Sequence, residues 1–145
     1  MENRLTQKTM ALRPKMTPIL RAMERLYPLS LADRSWDNVG LLVDALPPYR
    51  QMTPKEEKPK EDVLLTIDLT LPVLEEALTS CRHLSTIITY HPVIFRGLKS
   101  IQRDQSDGKG EVLLRCLREG ISVYSPHTAV VHYPMMKCSV HGPQC

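Results

Sequence analysis

Two spacings of apolar residues divide the chain. Between residues 17 and 27 they recur at helical intervals, with Ile19, Leu20, Met23 and Leu26 on one face and Arg21, Glu24 and Arg25 opposite. Thr17 and Pro18 open this predicted helix, because proline fits a first turn, and it ends by Tyr27, before Pro28. Asp37 and Asn38 then supply turn chemistry ahead of a short apolar strand over residues 39–43, with Trp36, the only tryptophan, expected as a core plug. Residues 63–67 read as a buried strand ending at Asp68. Thr70 is placed to cap a helix with Pro72 in its first turn and Val73, Leu74, Ala77 and Leu78 on its apolar face. Residues 86–90 are rich in β-branched side chains and predict another strand. A basic, glycine-containing loop follows over residues 96–110. A helix over 111–119 turns Val112, Leu113, Cys116 and Leu117 inward and stops at Gly120, and a last strand occupies 121–124.

Strand, helix, strand is a βαβ unit, and two of them follow one another here. Such crossovers are right-handed and pair their strands in parallel, so the expected fold is α/β, with a parallel or mixed sheet. Proline marks the ends of two of these strands. In TIITYHPVIF, Pro92 cannot donate to a ladder, so pairing stops near His91; in ISVYSPHT, Pro126 does the same ahead of His127. The plain reading of either histidine alone is a polar residue in a solvated loop, but the repeated pattern argues for a pair. Three parallel strands would then end at Asp68, His91 and His127, at the sheet edge where α/β proteins hold ligands. One carboxylate and two imidazoles gathered there could bind a divalent metal or serve as acid and base.

Other segments carry less. Residues 46–62 hold four prolines and alternating charge, with little to bury, and are expected to form a long mobile loop. Residues 1–16 carry Arg4, Lys8, Arg13 and Lys15 against Glu2 and read as a disordered basic terminus, with a weak likeness to an organelle presequence. The 145 residues are enough for one domain of ordinary size, spanning 17–129, and 42% hydrophobic residues are enough to fill its core. A formal charge of +3, with bases interleaved among acids, neither implies nor excludes nucleic acid. Cys81, Cys116, Cys138 and Cys145 show no CxxC spacing and no secretory signal precedes them, so reduced thiols in a cytoplasmic or nuclear setting are expected. No apolar run approaches the roughly 20 residues that span a bilayer. Asp107-Gly108-Lys109-Gly110 lacks the spacing of a phosphate loop, and no GxGxxG follows a strand. Cys138, His141 and Cys145 lie close together, but three ligands without a stable fold are weak grounds for zinc.

SWDNVGLLVD, VLLTIDLT, TYHPVIF and GISVYSPHTA, in this order, resemble the amino-terminal part of the NIF-three-like family, also described as GTP cyclohydrolase I type 2-like. The likeness runs over about residues 14–129. It implies an α/β fold with a central crevice, ring-like oligomers, a two-metal site and, for several members, transcription-related regulation through protein partners. It makes His91 the metal ligand after its strand, His127 the site histidine and Asp68 the acid at the preceding strand end, with Asp68 and His127 as the catalytic candidates. The chain also departs from the family. Tyr90 stands where many bacterial relatives have a first histidine, and Val131 stands where an aspartate ligand is expected. From Val130 onward the likeness ends and the chain stops, which reads as a truncated product with a divergent tail over 130–145. The expected function is therefore action through protein contacts, with an incomplete zinc-type divalent-metal site and doubtful homo-oligomerisation. A metal-dependent hydrolase of the cyclohydrolase-like kind is the alternative, and a partly unfolded product without function a third.

Overall fold

The computed structural model describes residues 18–46, 61–104 and 108–132. Helix α1 (Pro18–Leu26) and a 3-10 turn (Leu29–Leu31) lead into strand β1 (Gly40–Val43). Strand β2 (Asp62–Thr66), helix α2 (Leu71–Ser80) and strand β3 (Leu84–Thr89) follow. Helix α3 (Lys109–Glu119), strand β4 (Ser122–Ser125) and the short helix α4 (Thr128–Val131) complete the described chain. The strands lie in the order β1-β4-β3-β2. β2, β3 and β4 are parallel, whereas β1 runs antiparallel to β4, so the sheet is mixed.

Each parallel pair is joined by one helix, and both helices cover the same face. Leu74 from α2 and Val112, Leu113 and Cys116 from α3 pack into one cluster with Ile87 of β3 and Val123 of β4, while Leu64 of β2 borders it. The register sets Leu64 beside Ile87 and Ile87 beside Val123, so one row of alternate side chains runs across the strands into that core. Burial in this cluster pushes the Cys116 thiol up to about 12, so it packs as a small apolar group. Gly120 ends α3 in the left-handed conformation, φ 73°, and its N–H returns to the carbonyls of Cys116 and Leu117. Thr70 precedes α2 as its N-cap, but its hydroxyl makes no capping bond.

Several expectations are corrected. Residues 63–67 do not form a strand buried on both faces: β2 is an edge strand, and Leu65 and Ile67 are 72% and 67% exposed. The apolar run, broken only by Thr66, suited a central strand, but the helices cover only its Leu64 side. Trp36 is not a core plug. It is 54% exposed and held at the surface by the bond from its Nε1–H to the Asp33 carboxylate, 2.8 Å. Leu117 and Leu26 also face outward, so the apolar faces of α3 and α1 are narrower than their sequence spacing suggests. The expected mobile loop, save its ends, the basic terminus and most of the tail lie outside the described residues. No helix among the described residues is long and apolar enough to cross a membrane.

Gly40 opens β1 at φ 100°, and a Cβ there would sit 3.1 Å from Leu29 Cδ1. The backbone thus calls for glycine, and an added Cβ would also press on the flexible tip of Leu29. Gly40→Ala should destabilise the fold by about 1–3 kcal/mol, read from the denaturant midpoint, because it combines a left-handed residue with a close contact. Gly97→Ala, with nothing within 4 Å of its added carbon, is the matched control and should leave the midpoint unchanged.

Candidate functional site

Asp68, His91 and His127 each lie two residues beyond the end of a parallel strand, β2, β3 and β4 respectively. Parallel pairing brings those ends to one edge, as the sequence spacing predicts. Buried hydroxyls then fasten the strand ends together. Thr89 Oγ1 donates to the carbonyl of Ile67 at 3.2 Å or to that of His91 at 3.1 Å, and the His91 N–H reaches Ile67 O at 3.0 Å. Ser125 Oγ donates to Tyr90 O at 2.8 Å. Thr89 and Ser125 are fully buried, so these bonds satisfy hydroxyls that would otherwise lie unpaired in the interior.

Two carboxylate–imidazole pairs result. His91 Nδ1 lies 2.7 Å from Asp68 Oδ1, with both side chains well exposed. His127 Nδ1 lies 2.8 Å from Asp37 Oδ1, and here the side chains are only 16% and 0% exposed. A carboxylate can only accept, so Nδ1 carries the proton in each ring, and in the neutral imidazole Nε2 then keeps a lone pair. The two rings stand 5.6 Å apart at 67°. Tyr90 lies 4.9 Å from the His91 ring and 5.2 Å from that of His127, while Trp36 meets His127 edge-on at 6.1 Å and Phe95 at 6.2 Å. Asn38 ties the adjoining loop by donating from Nδ2 to Ile94 O at 2.6 Å. Beside His91, a cavity of about 280 Å³ is lined by Asp68, Thr70, Pro92, Lys109 and Val112 among others.

Asp37 is the residue that sequence reasoning missed, since it was assigned only turn chemistry. Its Oδ2 accepts from the Thr128 N–H at 3.2 Å and from Thr128 Oγ1 at 2.5 Å, which anchors the first turn of α4 as well as the imidazole. Burial pushes the Asp37 carboxyl up, but the bonds from Thr128 and His127 and the charge of the imidazole outweigh it, leaving the carboxyl below its ordinary value. No local signal in the SWDN turn marks it, because its partners come from the other end of the domain. His127 itself adopts φ 27° and ψ −109°, an uncommon backbone for a side-chain-bearing residue. Asp33 completes this corner: its carboxylate accepts from Ser35 Oγ and N and from Trp36 Nε1, which hold it below the usual range.

Among the described residues no group of three or more His, Cys, Asp or Glu could hold a metal ion. The imidazoles offer two nitrogen donors, Asp68 and Asp37 are each engaged with a ring, and Val131 carries no donor atom.

The model of the family described as Duf34/NIF3 (NGG1p interacting factor 3) matches residues 14–132. The protein NIF3 homolog of Schizosaccharomyces pombe is 47% identical over 110 residues, which are 76% of this chain and 35% of that protein. NGG1-interacting factor 3 of Saccharomyces cerevisiae is 37% identical over 118 residues, 81% of this chain and 39% of its own length. A solved Bacillus cereus protein related to NIF3 superimposes with a TM-score of 0.61 at 33% identity, covering 77% of this chain and 27% of that one. The chain thus spans little more than a third of the length of these curated relatives.

The buried Asp37 pair gives a signed pH dependence. A depressed folded value means that the contribution to stability is present above the unfolded carboxyl value, about 3.9, and is lost as pH falls through the lower folded value. Asp37→Asn should flatten that acid limb of the stability curve and cost about 1–3 kcal/mol at neutral pH, measured by urea unfolding across a pH series.

Proposed function

The chain belongs to the Duf34/NIF3 family, and on that premise we propose that it acts through protein contacts while carrying an incomplete divalent-metal site at the carboxyl ends of β2, β3 and β4. The observation that supports this most is the pair of imidazoles, His91 and His127, each turned so that a carboxylate holds Nδ1 and leaves Nε2 as a donor. Neutral imidazole with its second nitrogen on a carboxylate is the arrangement metal-ligating histidines adopt. Asp68 and Asp37 orient the rings, and no step is assigned to them beyond that. The donor count argues for weak binding: structural zinc takes four protein ligands and catalytic zinc about three. Valine at position 131 supplies neither charge nor lone pair to a hard cation held between imidazoles.

Protein contact is supported by the name of the yeast relative, an interacting factor for NGG1. The family resemblance extends this to transcription-related regulation. The two parts of the reading are separable. Partner binding rests on exposed surface, whereas metal binding rests on the strand ends.

Zinc titrated into the purified chain, with a chelating dye in competition, should bind weakly. Asp68→Asn should weaken it further by about tenfold, because the ring loses the carboxylate that raises its basicity. Val131→Asp should strengthen it only modestly, since one added carboxylate still leaves a small donor set. Tight stoichiometric binding by the unmodified chain, abolished by His91→Ala, would overturn the incomplete site and favour a metal-dependent hydrolase.

A further inference from the structure

Among the described residues β2 is the outermost strand of the sheet, and the ladder fixes what it leaves open. Thr66 accepts from the Tyr90 N–H on the β3 side, and alternation along a strand turns the peptide groups of Val63 and Leu65 the other way, toward the free edge. On the face opposite the helices, Leu65 and Ile67 stand largely uncovered, one strand period apart, with Val63 partly buried in the same row. Edge strands in monomers are blunted by charge, proline or a bulge within the strand. Within β2 the charge is confined to Asp62 at its first position, where the register irregularity also lies, and residues 63–67 carry neither charge nor proline. Acids flank the run instead, with Glu61 and Asp62 before it and Asp68 after it.

We propose that the outer edge of β2 is a docking strand for an extended segment of a partner protein, with apolar side chains at alternate positions and basic residues on both flanks. Backbone bonds to Val63 and Leu65 would supply affinity, Leu65 and Ile67 would take the apolar side chains, and the flanking acids would select basic ends. A second copy of this chain fits less well. Antiparallel pairing centred on Leu65, the middle of the apolar run, sets Asp62 against Asp68 of the copy at both ends, and like charges directly opposite are destabilising. This surface rests on the protein-contact reading; it shares Asp68 with the His91 pair, so Glu61 and Asp62 are the flanking acids that belong to it alone.

The probe is a labelled synthetic peptide, Ile-Thr-Val-Thr-Ile between paired lysines at each end, followed by fluorescence anisotropy with the full chain. It should bind, and added salt should weaken it because the flanking charges are exposed. Leu65→Lys should reduce affinity by about tenfold or more, through lost apolar contact and repulsion of the lysine flanks. Ile67→Lys should act in the same direction. Both side chains are exposed, so the thermal transition of each variant should match the parent. A peptide carrying glutamate in place of lysine, and one N-methylated at alternate amides, should fail to bind. No binding by the lysine peptide, equal binding to both variants, or equal binding of the glutamate peptide would each overturn the proposal. So would a concentration-dependent dimer abolished by Leu65→Lys. A failure here with weak zinc binding as expected above would remove this surface and leave the metal reading intact.

Discussion

The parallel register of β2, β3 and β4 is the constraint on which the site depends. Parallel strands start at one edge and finish at the other, so whatever follows each strand is delivered to a common edge. Here each strand is followed, after one intervening residue, by Asp68, His91 or His127. The hydroxyls of Thr89 and Ser125 then fix the separation of those ends by bonding across to neighbouring carbonyls. The imidazoles are held near one another by the ladder beneath them, and their carboxylates set only the rotation of each ring.

The two carboxylate–imidazole pairs do different physical work. Asp68 and His91 sit in water, where even a fully charged pair is worth about 0–1 kcal/mol, so their contact orients more than it stabilises. Asp37 is enclosed and accepts from Thr128 and His127 together. There the carboxylate is part of the packing, and an uncommon backbone at His127 is tolerated because these bonds over-determine it.

Much of this was legible in the sequence, for identifiable reasons. Pro92 and Pro126 punctuate the strands because proline cannot continue a ladder, and the strand–helix–strand order dictates parallel pairing, so the grouping of His91 and His127 followed from local chemistry alone. Asp37 was not legible because its partners, His127 and Thr128, lie some ninety residues away, and nothing in the SWDN turn distinguishes an orienting acid from a turn former. Trp36 misled because tryptophan usually buries its area, whereas here one bond to Asp33 holds it at the surface. The apolar run 63–67 misled because a strand's composition does not say whether anything covers its second face.

β1 enters the sheet early in the chain but pairs with β4, Gly40 opposite Ser125. Closing so long a loop costs entropy that no local contact repays, and non-local pairings of this kind form slowly. β2, α2 and β3, which are contiguous, can assemble first, and α3 with β4 can add to them. The Asp37–His127 bond must wait for the two most distant segments to meet. The acid made early therefore stays without its imidazole until the residues after β4 have been made. A nascent chain arrested before β4 would lack His127, and Asp37 would have no imidazole to accept from.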